Sequence, residues 1–274
     1  METLDRLGWA TGMSFVAHGL RIGIRMNDSH LLDELPQRLP PGWRPASSNV
    51  VDRLYSLIAG GEGARSGVRR YNLLYAGAAR IARSLRLDEV LDRLEGDLRL
   101  YVAEWSRRKL FVHAGVVAWE GRAIVIPGRS FSGKSRLVEA LVRAGATYFS
   151  DEYAVFDDHG LVHPYNVPLS IRSEDGDPPE KVRMDMPNRS DGLKPLPVGV
   201  IAMAKYRPGA RWRPRPLPPG QAVLSLLANT VAARRKPDQV LTRLARIVEG
   251  TRVLRGSRGE AAETVGPLLA AVGS

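Results

Sequence analysis

Apolar residues in the second half of the chain form short continuous runs in some places and repeats at helical spacing in others. The runs predict strands over 110–119, 122–126, 146–150, 153–156, 161–165 and 198–205. The repeats predict helices over 135–144, 221–234, 237–249 and 260–272, the last bent or broken near Pro267. Strands that alternate with helices in this way indicate the α/β fold class.

The first part of the chain, residues 1–107, has a different pattern, and we can assign no chemistry to it. An alternating stretch within 14–26 predicts a strand, 51–58 and 68–75 predict a strand pair around a glycine-rich turn, and 87–107 predicts a long helix. We therefore expect two domains: a smaller α+β N-terminal region over 1–107 and an α/β domain with C-terminal helices over 108–274. Within the latter, the Pro-, Asp-, Ser- and Gly-rich stretch 173–195 predicts a loop.

A glycine-rich segment lies between a predicted strand and a predicted helix. Residues 128–135 match the phosphate-binding pattern G-x-x-x-x-G-K-[ST], with the strand 122–126 before them and the helix 135–144 after them. This order points backbone N–H groups and a positive helix end at a polyphosphate. The predicted nucleotide-binding residues are Gly128, Arg129, Ser130, Phe131, Ser132, Gly133, Lys134, Ser135 and Arg136. The segment predicts binding of ATP or GTP, with Lys134 at the β- and γ-phosphates and Ser135 at Mg²⁺.

Two acidic residues follow the helix at an unusually short distance. The helix climbs about 15 Å at about 1.5 Å per residue, and the strand 146–150 returns about 16 Å at roughly 3.3 Å per residue. Asp151 and Glu152 should therefore arrive level with the phosphates, at the carboxyl end of a strand that we expect to neighbour the strand 122–126. Both residues are candidate Mg²⁺ ligands together with Ser135.

Four motifs in this order and spacing resemble the catalytic domain of the HPr kinase/phosphorylase family. They are His-Ala-Gly-Val-Val at 113–117, the 128–135 segment, Ser-Asp-Glu at 150–152 and Leu-Ser-Ile-Arg at 169–172. The resemblance covers roughly 108–205 well and the C-terminal helices weakly. It implies a phosphate-loop fold with a mixed sheet, similar to the nucleotide-binding core of phosphoenolpyruvate carboxykinases. It also implies transfer of phosphate to a serine hydroxyl of a peptide or protein.

The resemblance also implies roles for individual residues. His113 corresponds to the histidine that assists proton movement near the acceptor, and Asp151 to the acid that acts as base towards the attacking hydroxyl. Lys134 and Arg172 correspond to the cations at the phosphates. Two positions depart from the family pattern: Glu152 replaces an aspartate, and Ser170 stands where a glutamate is expected. The second departure removes a carboxylate of the metal shell and puts the reverse, phosphorolytic activity in doubt.

The composition narrows the classes of partner. The net charge of +11 favours anionic partners, but the basic residues are scattered, and neither a nucleic-acid motif nor aromatic–basic interleaving is present. Dedicated nucleic-acid binding is therefore not expected. No apolar stretch approaches the roughly 20 residues that span a bilayer, and the absence of cysteine excludes disulfides and thiol catalysis. We expect a cytoplasmic protein without membrane attachment, and the sequence leaves a homo-oligomer open.

Together these features predict an ATP- and Mg²⁺-dependent serine kinase that acts on a peptide or small protein. Two other functions use the same residues. One is a kinase for a small molecule such as free serine, and the other is a nucleotide-sensing or partner-binding module in which Glu152 and Ser170 have weakened catalysis. A carboxykinase is disfavoured because we identify no oxaloacetate or Mn²⁺ ligands.

Overall fold

The chain divides into two units, Met1–Arg107 and Arg108–Ser274, with the boundary at the residue where the sequence pattern changes. The structure is a computed structural model that describes residues 8–48, 50–60, 70–128, 132–172, 181–188, 190 and 192–272. Both units combine helices with mixed or antiparallel β-sheets, so the fold is of the α/β kind that the sequence predicts. None of the helices within these ranges is long and apolar enough to span a membrane.

The described strands of the first unit form a six-stranded mixed sheet in the order β3-β1-β2-β4-β5-β6. They are β1 (Thr11–Ala17), β2 (Leu20–Met26), β3 (Arg44–Pro45), β4 (Arg53–Ile58), β5 (Asn72–Ala76) and β6 (Ala79–Ser84). Short 3-10 helices span Ser29–Leu32 and Pro36–Arg38. Helix α1 (Leu87–Trp105) contacts β5 and β6 and buries one apolar face that includes Val90, Leu94 and Leu98.

The stretch 14–26 belongs to two strands and not to one. His18 and Gly19 have φ angles of +48° and +86° and turn the chain between β1 and β2. Gly19 adopts this left-handed conformation at little cost, since it has no Cβ atom. The glycine was therefore the sequence signal for a hairpin.

In the second unit, eight described strands form a sheet in the order β11-β10-β7-β8-β14-β16-β15, with β9 paired to β7. These strands are β7 (Leu110–Trp119), β8 (Arg122–Pro127), β9 (Thr147–Ser150), β10 (Tyr153–Phe156), β11 (Val162–His163), β14 (Val198–Tyr206), β15 (Arg215–Pro216) and β16 (Arg252–Arg258). A separate hairpin consists of β12 (Leu169–Arg172) and β13 (Lys181–Met184). Strands β8, β14 and β16 are parallel to one another, so their carboxyl ends share one edge of the sheet.

Helices cover both faces of this sheet because the strand residues that point to either face are apolar. They are α2 (Lys134–Arg143), α3 (Pro219–Leu227), α4 (Pro237–Val248) and α5 (Ala261–Ala270). Val116 and Val125 belong to the core cluster with α3 and α4, whereas Val117 and Ile124 belong to the cluster with α2 and α5. Residues that alternate between two apolar cores explain why these strands read as continuous hydrophobic runs.

Several predicted element bounds differ from the structure; the strand predicted over 161–165, for example, is limited to Val162–His163. The predicted helix 221–234 ends at Leu227 and is followed by a separate 3-10 turn, Val231–Arg234. Part of the predicted loop 173–195 forms strand β13. Strand β16, which lies between β14 and β15, was not predicted because it contains few apolar residues.

Candidate functional site

Gly128 and Gly133 are the two glycines of the segment 128–135, which the sequence predicts to hold phosphate. Gly128 directly follows β8, and its N–H group donates a 3.1 Å hydrogen bond to the His113 carbonyl on β7. A Cβ atom on Gly128 would lie 2.5 Å from Ser132 Oγ. Gly133 caps the N-terminus of α2 with a φ of +76°, in the left-handed region. A side chain at position 128 would clash with Ser132, and a side chain at position 133 would strain the left-handed backbone, so both positions favour glycine.

The remaining predicted residues of this segment and its surroundings are placed as follows. Outside the described residues lie Arg129, Ser130 and Phe131. The main chain of Arg172 ends strand β12, but its side chain is likewise outside the described part. Arg136 is exposed on the first turn of α2, whereas Ser132, Lys134 and Ser135 are partly buried.

Gly115, on β7, lies directly beneath the first turns of α2. A Cβ atom at this position would be 2.4 Å from Val138 Cγ2 and 3.0 Å from Lys134 Cγ. The absence of a side chain therefore lets α2 pack close to β7. It also leaves room for the Lys134 side chain, whose Cγ atom lies over Gly115. Gly115 lies within the motif at 113–117, where the family resemblance implies a role for His113 alone.

Asp151 meets the first turn of α2 although it follows a different strand. Its Oδ2 atom accepts a 3.0 Å hydrogen bond from Ser135 Oγ and a 3.4 Å contact from the Ser170 N–H group. The Tyr148 hydroxyl lies 3.4 Å from Oδ1 but donates its shorter bond, 2.8 Å, to the Val167 carbonyl. Burial and the nearby Asp151 carboxylate raise the pKa of Tyr148, so the phenol stays protonated. The Oδ1 atom thus keeps capacity for a further ligand.

The strand that leads to Asp151 does not neighbour β8, which corrects the expectation from the sequence. Both β8 and β9 pair antiparallel with β7, which lies between them. Strands β8 and β9 therefore run in the same direction on opposite sides of β7. The chain passes the level at which β8 ends shortly after β9 and then continues beside β7 as β10. Asp151 still reaches Ser135 because α2 lies across β7 at Gly115 and contacts β9 as well.

Glu152 lies at a bend where β9 continues into β10, and both of these strands pair antiparallel with β7. The Ser150 hydroxyl accepts hydrogen bonds of 3.1 Å from the N–H groups of Glu152 and Tyr153. The Glu152 carbonyl accepts a 3.3 Å hydrogen bond from the Ala114 N–H group on β7. Since Ala114 is also paired with Pro127, the last residue of β8, this bend holds the main chain of both predicted acids level with the end of β8.

His113 lies on β7 opposite Tyr153 of β10, and the centroids of the two rings are 4.8 Å apart. Burial lowers the pKa of His113 most strongly, and the positive charge of Lys134 lowers it further. A hydrogen bond to the Glu152 main chain acts in the opposite direction but is outweighed. The imidazole is therefore neutral near pH 7 and able to accept a proton.

Arg258, the last residue of β16, is a component of the site that the sequence did not indicate. It is only 2% exposed, and its guanidinium donates hydrogen bonds of 2.7 Å to the Gly133 carbonyl and 2.8 Å to the Gly259 carbonyl. Burial lowers the pKa of Arg258, while the nearby Glu260 and Tyr206 raise it. No local motif distinguishes this arginine from the chain's many others, because its contact with Gly133 spans 125 residues.

Ser135 and Asp151 supply the kind of ligands that Mg²⁺ takes in proteins. Among the described residues, no group of three or more His, Asp or Glu side chains is arranged to hold a metal ion. A hydroxyl and a carboxylate oxygen 3.0 Å apart nevertheless suit a cation that uses one or two protein oxygens together with substrate phosphates and water. The site fits a metal that arrives with a nucleotide, and not an all-protein cage.

In comparisons with known proteins, neither a family model nor a curated protein matches the chain.

Proposed function

We propose that the protein is an ATP- and Mg²⁺-dependent kinase that transfers the γ-phosphate to a serine hydroxyl of a peptide or small protein. The second unit then has the phosphate-loop fold that the motifs resemble. The observation that carries the proposal is the 3.0 Å hydrogen bond from Ser135 Oγ to Asp151 Oδ2. A hydroxyl that directly follows the loop lysine, paired with an acid at the end of another strand, is how phosphate-loop enzymes hold their metal.

The position of Lys134 supports phosphate binding. Lys134 is the first residue of α2, directly after the left-handed Gly133. The N–H groups of a helix N-terminus have no partner within the helix and carry a partial positive charge, so they attract phosphate oxygens. The lysine ammonium adds a full charge at the same end.

Mg²⁺ would be held by Ser135 and Asp151, and the partly buried Glu152 is the next acid along the chain. When bound, the ion supplies positive charge that offsets the negative charge of the phosphate oxygens. The protein's own contribution is to keep the hydroxyl and the carboxylate together, level with the end of β8.

The proposed transfer needs an acceptor hydroxyl held in line with the γ-phosphorus. The serine oxygen forms a bond to phosphorus, the bond from phosphorus to the β–γ bridging oxygen breaks, and ADP leaves with that electron pair. Asp151 orients the hydroxyl and takes its proton. His113 is the second group able to accept this proton, since it is neutral near pH 7.

The decisive experiment separates nucleotide binding from transfer. Purified protein is incubated with Mg-ATP and candidate acceptors, which include serine peptides, small proteins and free serine, and the products are followed by intact mass for one added phosphate. We expect Lys134→Ala to lose both ATP binding and transfer. We expect Asp151→Asn to lose transfer but to retain ATP binding, measured by calorimetry.

Two exposed residues of the same unit provide matched controls, Lys194→Ala for the lysine and Glu249→Gln for the acid. Both should behave as the wild type. Modification of free serine alone would identify the small-molecule kinase. ATP binding without transfer or hydrolysis in the wild type would contradict a kinase and identify a nucleotide sensor.

A further inference from the structure

Tyr206 is an exposed aromatic residue directly beside the predicted phosphate loop. It is the last residue of β14, and 41% of its surface is exposed. Its Cβ atom lies 3.5 Å from the position that a Cβ on Gly133 would occupy. Among the described residues of this unit, few large apolar or aromatic side chains are so exposed, so the position of Tyr206 next to the loop calls for an explanation.

Two charged neighbours hold the Tyr206 ring in place. The Arg258 guanidinium carbon lies 5.3 Å from the ring centroid, in cation–π geometry. The Tyr206 hydroxyl donates a 3.0 Å hydrogen bond to Glu260 Oε1. Since Arg258 also binds the Gly133 carbonyl at 2.7 Å, the ring is fixed relative to the loop. An aromatic ring held in this way, with much of its surface exposed, is preorganised to stack against a flat ligand.

Tyr206 and the predicted acids lie on opposite sides of the loop strand. Strand β8 pairs with β14 on one side and with β7 on the other, and β9 follows β7. Asp151 directly follows β9, which lies on the β7 side of β8. Tyr206 and Arg258 are the last residues of β14 and β16, which lie on the other side of β8. A nucleotide whose terminal phosphate faces Asp151 and whose other phosphates follow the loop would direct its base towards β14 and β16.

We propose that the Tyr206 ring, backed by Arg258 and held by Glu260, is the platform on which the purine base of the nucleotide stacks. The platform rests on the proposed function, because it requires that the loop bind a nucleoside triphosphate. Stacking on a tyrosine is tolerant of base identity, since every base has a π face. The platform therefore serves ATP and GTP alike.

The test compares ATP with inorganic tripolyphosphate, which has the phosphates but no base. Binding of each with Mg²⁺ is measured by calorimetry for the wild type, Tyr206→Ala and Tyr206→Trp. We expect Tyr206→Ala to weaken ATP binding by about 10-fold, because the base loses the ring on which it stacks. Its tripolyphosphate binding should be unchanged, and Tyr206→Trp should bind ATP at least as tightly as the wild type.

Tyr71→Ala is the matched control, because Tyr71 also lies against an arginine, 3.8 Å from Arg83, but belongs to the first unit. It should leave both affinities unchanged. Equal loss of ATP and tripolyphosphate binding in Tyr206→Ala, or no loss of either, would overturn the platform while leaving the kinase proposal intact. A wild type that binds neither ligand would overturn both.

Discussion

Gly115 lies so close to α2 that a Cβ atom on it would stand 2.4 Å from Val138 Cγ2. The contact joins β7, which pairs with the strand β8 that leads into the predicted phosphate loop, to the helix that follows the loop. Because α2 also contributes Lys134 and Ser135, this single approach fixes the height of the helix N-terminus above the sheet. It also explains how Asp151 reaches Ser135 across the intervening strand.

We predict that Gly115→Ala destabilises the second unit and weakens nucleotide binding together. Its methyl group must push α2 away from β7, and overpacking of this kind typically costs about 1–3 kcal/mol. The displaced helix would also shift Lys134 and Ser135 from Asp151. Thermal unfolding measures the first effect, and calorimetry with Mg-ATP measures the second.

Gly220→Ala is the control for this change. Gly220 lies on the first turn of α3, where an added Cβ would meet no atom within 4 Å. Alanine there should leave ATP binding unaltered and raise stability slightly, since glycine is the poorer helix former. Wild-type stability and affinity in Gly115→Ala would show that α2 does not depend on the close approach.

A second prediction concerns the Ser135–Asp151 contact. Ser135→Ala removes a hydroxyl that donates to Asp151 Oδ2 and that would bind Mg²⁺. We expect the Mg²⁺ concentration for half-maximal phosphate transfer, or for ATP hydrolysis, to rise by about 10-fold or more. Ser135→Thr keeps the hydroxyl and should retain the wild-type Mg²⁺ dependence. The same Mg²⁺ dependence in Ser135→Ala would exclude this hydroxyl from the metal shell.

The sequence predicts the long apolar elements well and their pairing less well. Strand β7 occupies the predicted residues, Leu110–Trp119, because it is covered on both faces and reads as one hydrophobic run. Its role as the shared neighbour of β8 and β9 does not follow from that run. Periodicity reports which residues are buried, whereas pairing depends on contacts between distant segments.

The candidate site shows the same division. The segment 128–135 and Asp151 have local patterns, so the sequence indicates them. Arg258 lies in β16, where Val253 and Leu254 are the only consecutive apolar residues. Its contact with Gly133 depends on the strand's place beside β14, which no local pattern encodes.

A third prediction is that Arg258 positions the loop. Its guanidinium bridges the Gly133 and Gly259 carbonyls, and the compact ammonium of a lysine offers no such planar fork. We expect Arg258→Lys to weaken both Mg-ATP and tripolyphosphate binding, each by about 10-fold or more, since hydrogen bonds to charged groups contribute about 1.5–3 kcal/mol. This differs from Tyr206→Ala, which should affect ATP alone. Arg255→Lys, at an exposed position of the same strand, is the control and should leave both affinities unchanged. Loss of ATP binding alone in Arg258→Lys would contradict a role of Arg258 at the loop.

The last prediction concerns the titration of His113. In the unfolded chain the histidine holds its proton up to about pH 6.5. Because burial and the charge of Lys134 lower the pKa of His113 in the folded protein, the proton is released there at a lower pH. The free energy of unfolding should therefore rise with pH between these two values. His113→Gln should lack this component.

The pKa itself can be measured without any activity, from the imidazole proton resonances across a pH titration, with His113→Gln to assign the signal. We expect a pKa below about 6.5 in the wild type. In Lys134→Ala the pKa should rise but stay below that value, because burial, the larger cause, remains. Lys194→Ala should not change it. If His113 is also the proton acceptor in the transfer, the acidic limb of the pH profile of kcat/KM should follow the same pKa. An acidic limb that is unchanged in His113→Gln would show that another group is responsible for it.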